Sequence, residues 1–103
     1  MIAVQVTYKI NAEFLEENKR NIATFLADFK ELRNSKFLYH VYAKDDGLTF
    51  VHISMYENEQ IQNEVLNIPS FLVFQQERDE KGLVAPPLIE NLQHLGSSIS
   101  MVK

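Results

Sequence analysis

A two-residue period of apolar side chains opens the sequence, from residue 2 to residue 10. Alternation of this kind predicts a β-strand that buries one face. The period then lengthens to that of a helix over residues 12–33, where five large apolar residues project within about 80° of one another. Those residues are Phe14, Ile22, Phe25, Phe29 and Leu32. Asn11 suits the N-cap of this helix, and Asn18 projects onto the middle of its apolar stripe.

Two runs of aromatic and β-branched residues follow, at residues 37–44 and 48–56. The Asp-Gly step between them, Asp46 and Gly47, predicts a β-hairpin. The sequence is compatible with two pairing registers of this hairpin. A two-residue loop directs His40 and His52 to opposite faces of the hairpin, whereas a three-residue loop with a glycine bulge places them directly opposite each other.

The remaining sequence predicts two helical segments and a last strand. Asn58 can cap a short helix, and Pro69 can open a second segment that continues to about Glu80 and ends at Gly82. After Pro86 and Pro87, residues 88–95 form the last predicted strand.

The order of elements is therefore strand, helix, strand, strand, helix, strand. It predicts one α+β domain over residues 1–95 with the ferredoxin-like βαββαβ fold, a four-stranded antiparallel sheet with its helices on one face. Residues 96–103 form a tail after a Gly-Ser-Ser hinge.

Both faces of the two hairpin strands are largely apolar, yet two helices can cover only one face of such a sheet. An uncovered monomer would expose a large hydrophobic patch. We therefore expect a homodimer, formed by stacking sheet face on sheet face about a two-fold axis. The tail at residues 96–103 is a segment that could pack on the partner subunit.

Composition narrows the classes of function. The 103 residues are 46% hydrophobic with a net charge of −4, and the scattered basic residues give nucleic acid no continuous stripe. No apolar run approaches the roughly 18 residues that span a bilayer. Cysteine is absent, which excludes disulfides and thiolate metal sites. Residues 1–8 are typical of a strand rather than a signal peptide, so we expect a cytoplasmic protein.

Three stretches of this sequence together resemble one known family. They are residues 37–42, Phe-Leu-Tyr-His-Val-Tyr; residues 50–59, Phe-Val-His-Ile-Ser-Met-Tyr-Glu-Asn-Glu; and residues 68–74, Ile-Pro-Ser-Phe-Leu-Val-Phe. The sequence is similar there to the antibiotic biosynthesis monooxygenase domain, over roughly residues 1–95. The resemblance implies a dimeric α+β barrel, with a pocket between the sheet and the helices of each subunit. It also implies oxidation of an aromatic or quinol substrate by molecular oxygen, with no metal or flavin cofactor.

The sequence departs from that family at several polar positions. Where many relatives carry a histidine in the short helix and another just before the phenylalanine, this chain has Val65 and Ser70, and Ser54 stands where an acid is common. Haem-cleaving relatives use a histidine of the second helical segment, a tryptophan and an asparagine of the first strand. This chain lacks all three, which argues against haem degradation.

The candidate catalytic residues are His52, His40 and Asn18. Two histidines without a nearby acid make a poor metal site, so no metal is expected. Single half-buried histidines that are satisfied by backbone or tyrosine hydroxyls are the alternative interpretation. The predicted ligand pocket lies between helix 12–33 and the sheet, and its residues are Tyr8, Phe25, Phe29, Tyr42, Ser54, Phe71 and Phe74.

Two functions remain open from the sequence. The first is a cofactor-independent oxygenase of a small aromatic or quinol-type substrate. The second is a non-catalytic homodimer of the same fold that binds a small apolar ligand or has only a structural role. A cavity with converging polar groups favours the first, and a filled interior favours the second.

Overall fold

A computed structural model describes residues 1–99 of the chain. Four strands and three helices follow one another as β1 (Ile2–Lys9), α1 (Leu15–Glu31), β2 (Phe37–Ala43), β3 (Thr49–Tyr56), α2 (Glu59–Leu66), α3 (Pro69–Glu77) and β4 (Leu88–Leu92). The strands form one antiparallel sheet in the order β2-β3-β1-β4. The predicted ferredoxin-like fold is confirmed. The last four residues of the predicted tail lie outside the described residues.

The long helix begins and ends inside the predicted range of 12–33. Residues Ala12–Phe14 form a 3₁₀ turn before α1, and the Asn11 side chain accepts a hydrogen bond from the Phe14 N–H at 3.0 Å. The helix stops because Arg33 adopts a left-handed backbone conformation, with φ at 47°. Leu32 is 41% exposed, so this residue does not belong to the buried stripe.

The second helical region is divided in two. Asn58 caps α2 by accepting a hydrogen bond from the Ile61 N–H at 2.9 Å, and Pro69 is the first residue of α3. A π-helical turn, Arg78–Gly82, continues α3 and ends at the glycine. A Cβ atom at Gly82 would overlap the ring of Phe14, so the end of this turn packs closely against the start of α1.

The hairpin between β2 and β3 has the register that separates the two histidines. His40 lies opposite Ile53, and His52 lies opposite Val41. The turn itself is longer than either the two-residue or the three-residue alternative, because the last pairing is the hydrogen bond from the Lys44 N–H to the Thr49 carbonyl at 2.8 Å. The intervening loop is therefore four residues long, and its left-handed position, at φ 73°, is occupied by glycine.

Asp46 organises this turn. Its carboxylate accepts hydrogen bonds from the Thr49 hydroxyl at 2.6 Å, the Thr49 N–H at 2.8 Å and the Leu48 N–H at 2.9 Å. These bonds, led by the one from the hydroxyl, lower the pKa of the carboxyl group to about 2. The loop is thus closed by side-chain capping rather than by a two-residue turn.

The sheet has two different faces. The covered face meets the helices: Tyr8 packs against Phe74 of α3, and His52 packs against Phe25 of α1. Its side chains include those of Val4, Val6, Tyr8, Phe37, Tyr39, Val41, Phe50, His52, Ser54 and Tyr56. The open face carries the alternate residues, among them Leu38, His40, Tyr42, Val51, Ile53, Met55, Leu88 and Leu92. No described helix covers the open face.

Within residues 1–99, no helix is both long and apolar enough to cross a membrane. The same part of the chain contains no group of three or more His, Asp or Glu side chains arranged to hold a metal ion.

Candidate active site

A chain of hydrogen-bonded polar side chains lies inside the covered face of the sheet. The two ring nitrogens of His52 contact two tyrosines: Nε2 lies 2.8 Å from the Tyr8 hydroxyl and Nδ1 lies 2.8 Å from the Tyr39 hydroxyl. Asn18 of α1 donates from Nδ2 to the Tyr8 oxygen at 3.2 Å. One helix and three adjacent strands thus each supply one member of this polar chain.

The sheet register brings the three ring side chains together. Val6 of β1 and Val41 of β2 lie directly opposite His52 on its two sides. Tyr8 and Tyr39 are each two positions away from those residues, in opposite directions, so their hydroxyls reach the imidazole from its two sides.

Aromatic rings enclose the polar chain. The Phe74 ring stacks on the imidazole of His52 with centroids 5.4 Å apart, and Phe25 lies 6.1 Å away. Phe71 packs edge-on against Tyr39 at 5.8 Å. As a result His52 is only 2% exposed and Asn18 is completely buried. The polar chain therefore lies in a dry, low-dielectric environment.

Burial keeps the polar chain uncharged near neutral pH. It lowers the pKa of the His52 imidazole to about 3, with a smaller contribution from the Arg78 guanidinium. Burial also raises the pKa of the Tyr8 and Tyr39 hydroxyls well above the ordinary value. The imidazole and both phenols are therefore neutral, and their hydrogen bonds are between uncharged groups.

Arg78 is a buried cation next to this polar chain. Its guanidinium carbon lies 5.2 Å from the centre of the Tyr8 ring and 5.3 Å from that of Phe74. It also forms an ion pair with Asp79 at 3.0 Å. The guanidinium thus stacks beside the aromatic rings, and its positive charge opposes protonation of His52.

A cavity of about 250 Å³ lies beside the polar chain, between the sheet and the α2–α3 region. Its apolar walls come from Val4, Val6, Leu66, Phe71 and Ile89, and its polar groups come from Tyr39, Ser54, Tyr56, Gln62, Gln75 and Asn91. No acidic or basic side chain lines it. A cavity with this lining suits a small, mostly apolar and uncharged ligand.

A larger groove of about 470 Å³ lies at the end of α1, next to the start of β2. It is more open to solvent than the cavity, and its charged lining residues, Lys30 and Arg33, are exposed. Of the four members of the polar chain, Tyr39 alone lines the groove, as it alone lines the cavity. The smaller cavity is the stronger candidate, because it combines enclosure with several converging polar groups.

The structure divides the residues predicted for the site into four groups, three of which lie between the sheet and the helices. Ser54 and Phe71 line the cavity, together with Tyr39, which was not among the predicted site residues. His52 and Asn18 lie behind Tyr39, buried with Tyr8, and the rings of Phe25, Phe29 and Phe74 pack in the core. These rings therefore fill the interior between α1 and the sheet. Open grooves remain along α1, one lined by Phe29 and another by Tyr42, whereas the more enclosed cavity lies beside α2 and α3.

His40 and Tyr42 lie on the open face of the sheet, where their rings stack at 6.2 Å. The expectation that they share a pocket with His52 is corrected by the hairpin register, which turns them away from the helices. The two histidines therefore do not form a pair.

Sequence reasoning did not identify Gln62, Gln75 and Asn91 as cavity residues, and it did not single out Arg78, which is only 8% exposed. The helical spacing of the sequence could have identified two of these residues, Gln75 and Arg78. Gln75 follows Phe71 by four residues, and Arg78 follows Phe74 by four, so both extend the inward face of α3.

The sequence finds no match among models of known protein families or among curated proteins. Solved structures match nearly the whole chain. A proposed antibiotic biosynthesis monooxygenase of Bacteroides thetaiotaomicron has a TM-score of 0.82 at 13% identity, with 98% of this chain and 95% of its own covered. Another, of Nitrosomonas europaea, has a TM-score of 0.77 at 13% identity, with 93% and 100% covered.

A Mycobacterium tuberculosis protein matches with a TM-score of 0.75 at 17% identity, over 95% of this chain and 98% of its own. The resemblance found in the sequence is thus confirmed for the fold: this protein has the fold of antibiotic biosynthesis monooxygenase structures. At identities this low, the structural similarity shows that the fold is shared but does not show that the activity is shared.

Proposed function

We propose that this protein binds a small, uncharged aromatic compound of the quinol or phenol type in the cavity beside Tyr39 and oxidises it with molecular oxygen. The observation that supports this most is the cavity itself, which combines apolar walls with a phenolic hydroxyl held in place by His52. The names of the structures that share the fold, antibiotic biosynthesis monooxygenases, are consistent with such a reaction.

The proposed reaction converts a phenol with a free para position to a quinone and water. The para C–H bond and the O–H bond of the phenol break, and one atom of O₂ becomes the second quinone carbonyl. The other oxygen atom leaves as water with both hydrogens. The substrate loses four electrons and O₂ gains four, so the stoichiometry requires no external reductant.

The lining of the cavity supports a neutral substrate of limited size. No charged side chain faces the space, and burying an unpaired charge there would be costly. A volume of about 250 Å³ is just under the usual range for drug-sized ligands, about 300–1,000 Å³. One or two fused rings would fill it.

We also propose that the protein forms a homodimer through the open face of the sheet. Val51, Ile53 and Met55 of β3 lie on this face and are only half-buried in one chain, and Leu88 and Leu92 of β4 are 58% and 41% exposed. Stacking two copies would remove this contiguous apolar surface from water. Sedimentation should give twice the chain mass of 12.0 kDa, and a single species at the chain mass would contradict the dimer.

Binding without turnover is the second candidate function, and one observation favours it. Deprotonation of a phenol requires a base, and the pKa of His52, at about 3, makes its imidazole a weak one at neutral pH. The same cavity could then act only as a binding site.

Oxygen uptake with 1-naphthol distinguishes the two candidates. We expect the wild-type protein to consume O₂ and to release 1,4-naphthoquinone. Tyr39→Phe, which removes one hydroxyl and keeps the ring, should lower kcat/KM at least about tenfold. Tyr42→Phe is the matched control, because the same hydroxyl is lost from a side chain on the open face that is 54% exposed.

His52→Ala tests the group that holds Tyr39, and we expect it to slow the reaction as well. Equal rates for the wild type and both site variants would remove the polar chain from the mechanism. Binding of naphthol without oxygen uptake would leave the binding function in place, and no binding at all would overturn the proposal.

A further inference from the structure

The hydrogen bonds of the polar chain all point the same way, from one donor to the next acceptor. This direction follows from counting the donors and acceptors of its members. A phenol has one proton to donate, and a neutral imidazole has one N–H donor and one acceptor nitrogen. Asn18 can only donate from Nδ2, so the Tyr8 oxygen is the acceptor in that contact. The Tyr8 hydroxyl proton must therefore find another partner.

His52 is the acceptor for that proton. Tyr8 is 3% exposed, and within residues 1–99 its hydroxyl has no partner other than Asn18 Nδ2 and His52 Nε2. With the Asn18 amide directing Nδ2 to Tyr8 as in the structure, the alternative would leave the Tyr8 proton buried without an acceptor, which native proteins avoid. Tyr8 thus donates to Nε2, and these partners assign the ring proton of the neutral imidazole to Nδ1.

The next hydrogen bond, from His52 to Tyr39, has the same direction and ends at the wall of the cavity. The Nδ1–H of His52 donates to the Tyr39 oxygen at 2.8 Å, so the proton of Tyr39 itself is not used inside the polar chain. Among the described residues, no second partner of the Tyr39 hydroxyl is present, and Tyr39 lines the cavity. Its O–H is therefore available to a bound molecule.

We infer that the one-way hydrogen bonding from Asn18 through Tyr8 and His52 makes Tyr39 a fixed hydrogen-bond donor in the cavity, so that the site selects ligands with a carbonyl oxygen. This inference rests on the proposed ligand cavity and names the chemistry that the cavity recognises. It does not depend on turnover. A quinone or an aromatic ketone offers the acceptor that Tyr39 requires, whereas the parent hydrocarbon offers none.

The other polar groups of the cavity do not make this distinction. The Ser54 and Tyr56 hydroxyls can each donate or accept, and the amides of Gln62, Gln75 and Asn91 each carry both a donor and an acceptor. Tyr39 differs because its oxygen already accepts from His52. A chain of polarised hydrogen bonds also strengthens its last donor, so the preference for a carbonyl should reside in this single hydroxyl.

Nuclear magnetic resonance of the wild-type protein tests the direction without any ligand. In protein labelled with ¹⁵N-histidine, we expect the neutral imidazole of His52 to carry its proton on Nδ1. Its signal is identified by its loss in His52→Gln. A proton on Nε2 would reverse the polar chain, turn the Tyr39 proton towards His52 and overturn the inference.

Calorimetry with matched bicyclic compounds tests the selectivity. α-Tetralone carries one carbonyl oxygen, and tetralin is the same bicycle without it. We expect wild-type protein to bind the ketone about tenfold more tightly than the hydrocarbon. Tyr39→Phe should bring the two dissociation constants together, and Tyr42→Phe should leave the ratio unchanged.

Asn18→Asp is a second variant that reverses the direction instead of removing a hydroxyl. At a pH above the pKa of the new carboxyl group, which burial raises, the carboxylate can only accept, so Tyr8 would donate to it and His52 would donate to Tyr8. The Tyr39 proton would then turn to His52, and the preference for the ketone should disappear while tetralin still binds. If this variant does not fold, the histidine signal and Tyr39→Phe decide the question.

Equal binding of ketone and hydrocarbon by the wild type would overturn the inference, and so would an undiminished preference in Tyr39→Phe. A preference for the ketone that depends on Tyr39, in a protein that consumes no oxygen with 1-naphthol, would support the inference and contradict only the proposed oxidation.

Discussion

The covered and open faces of the sheet are built from the same strands, yet the covered face buries polar groups and the open face exposes apolar ones. On the covered face, polar groups lie inside the core, and each of Tyr8, His52 and Tyr39 has a hydrogen-bond partner. On the open face, apolar groups remain half-exposed, and no described element covers them. A buried polar group needs a partner within the chain, and an exposed apolar face needs a cover.

Strand β3 shows this contrast within eight residues. Its even-numbered residues, Phe50, His52, Ser54 and Tyr56, are buried, and its odd-numbered residues, Thr49, Val51, Ile53 and Met55, are of intermediate exposure. The pleat alternates side chains between the two faces. One strand therefore supplies the site on one side and the proposed dimer surface on the other.

The largest expected effect tests the covered face. Phe25 is completely buried and contacts the rings of Phe29, Phe71 and Phe74. Phe25→Ala should lower the free energy of unfolding by about 3–5 kcal/mol, because it removes a large side chain from a packed core. Urea denaturation measures this loss.

Met55→Ala is the control on the open face. Under conditions where the protein is monomeric, it should cost under about 1 kcal/mol, because Met55 is already half-exposed. Equal losses for the two variants would mean that the two faces are equally buried.

The next effect tests the open face. Ile53→Lys places a charge at the centre of the proposed dimer surface, and we expect the dimer to dissociate at least about 100-fold more readily, equivalent to about 2.7 kcal/mol. Analytical ultracentrifugation measures the dissociation constant, and circular dichroism should show an unchanged fold. Gln60→Lys adds the same charge on an exposed position of α2 and should not alter the dimer. An unaffected Ile53→Lys dimer would require a different interface.

The third effect is the dependence of stability on pH. The pKa of His52 is about 3 in the folded protein, against about 6.5 in the unfolded chain. Because the folded pKa is depressed, protons bind preferentially to the unfolded chain. This contribution is fully present above pH 6.5 and is lost as the pH falls from 6.5 towards 3.

Between pH 7 and pH 5 the loss should be about 2 kcal/mol in the free energy of unfolding. His52→Gln has no group that titrates in this range, so the difference in unfolding free energy between the wild type and this variant should shrink by that amount. Parallel pH profiles would show that His52 titrates in the folded protein as it does in the unfolded chain.

The smallest effect tests the one unsatisfied group of the polar chain. The Oδ1 atom of Asn18 is buried, and no hydrogen-bond donor reaches it within residues 1–99. Asn18→Leu removes this orphan oxygen together with the hydrogen bond to Tyr8. The two changes should nearly cancel, so that the free energy of unfolding changes by less than about 1 kcal/mol. A loss of about 3 kcal/mol or more would show that the amide oxygen is hydrogen-bonded in solution.

Much of the fold could be predicted because local periodicity carries it. The strands and the long helix follow from the alternation in residues 2–10 and the apolar stripe of Phe25 and Phe29. The details that differ depend on backbone geometry that periodicity does not encode. Arg33 ends α1 in a conformation usual for glycine, and Asp46 lengthens the hairpin loop by capping it with its carboxylate.

The site was less predictable, because its members are distant in sequence. Tyr8 and His52 are 44 positions apart, and Tyr39 and His52 are 13 apart. The sequence named Tyr8 and His52 as candidates but not Tyr39, and it left the hairpin register open. One alternative placed His40 beside His52, and the other separated them. A shift of one residue in register exchanges the two faces.

By itself, the sequence determined the order of the elements, the helical coverage of one sheet face and the apolar character of both faces, because hydrophobic period and turn residues are local properties of the chain. Only the tertiary structure decided that His52 joins Tyr8 and Tyr39 while His40 turns away. It also decided that an enclosed cavity lies beside Ser54 and Gln75, whereas the spaces along α1 are open grooves. Those outcomes depend on register and on the packing of side chains from separate elements, which no local pattern specifies.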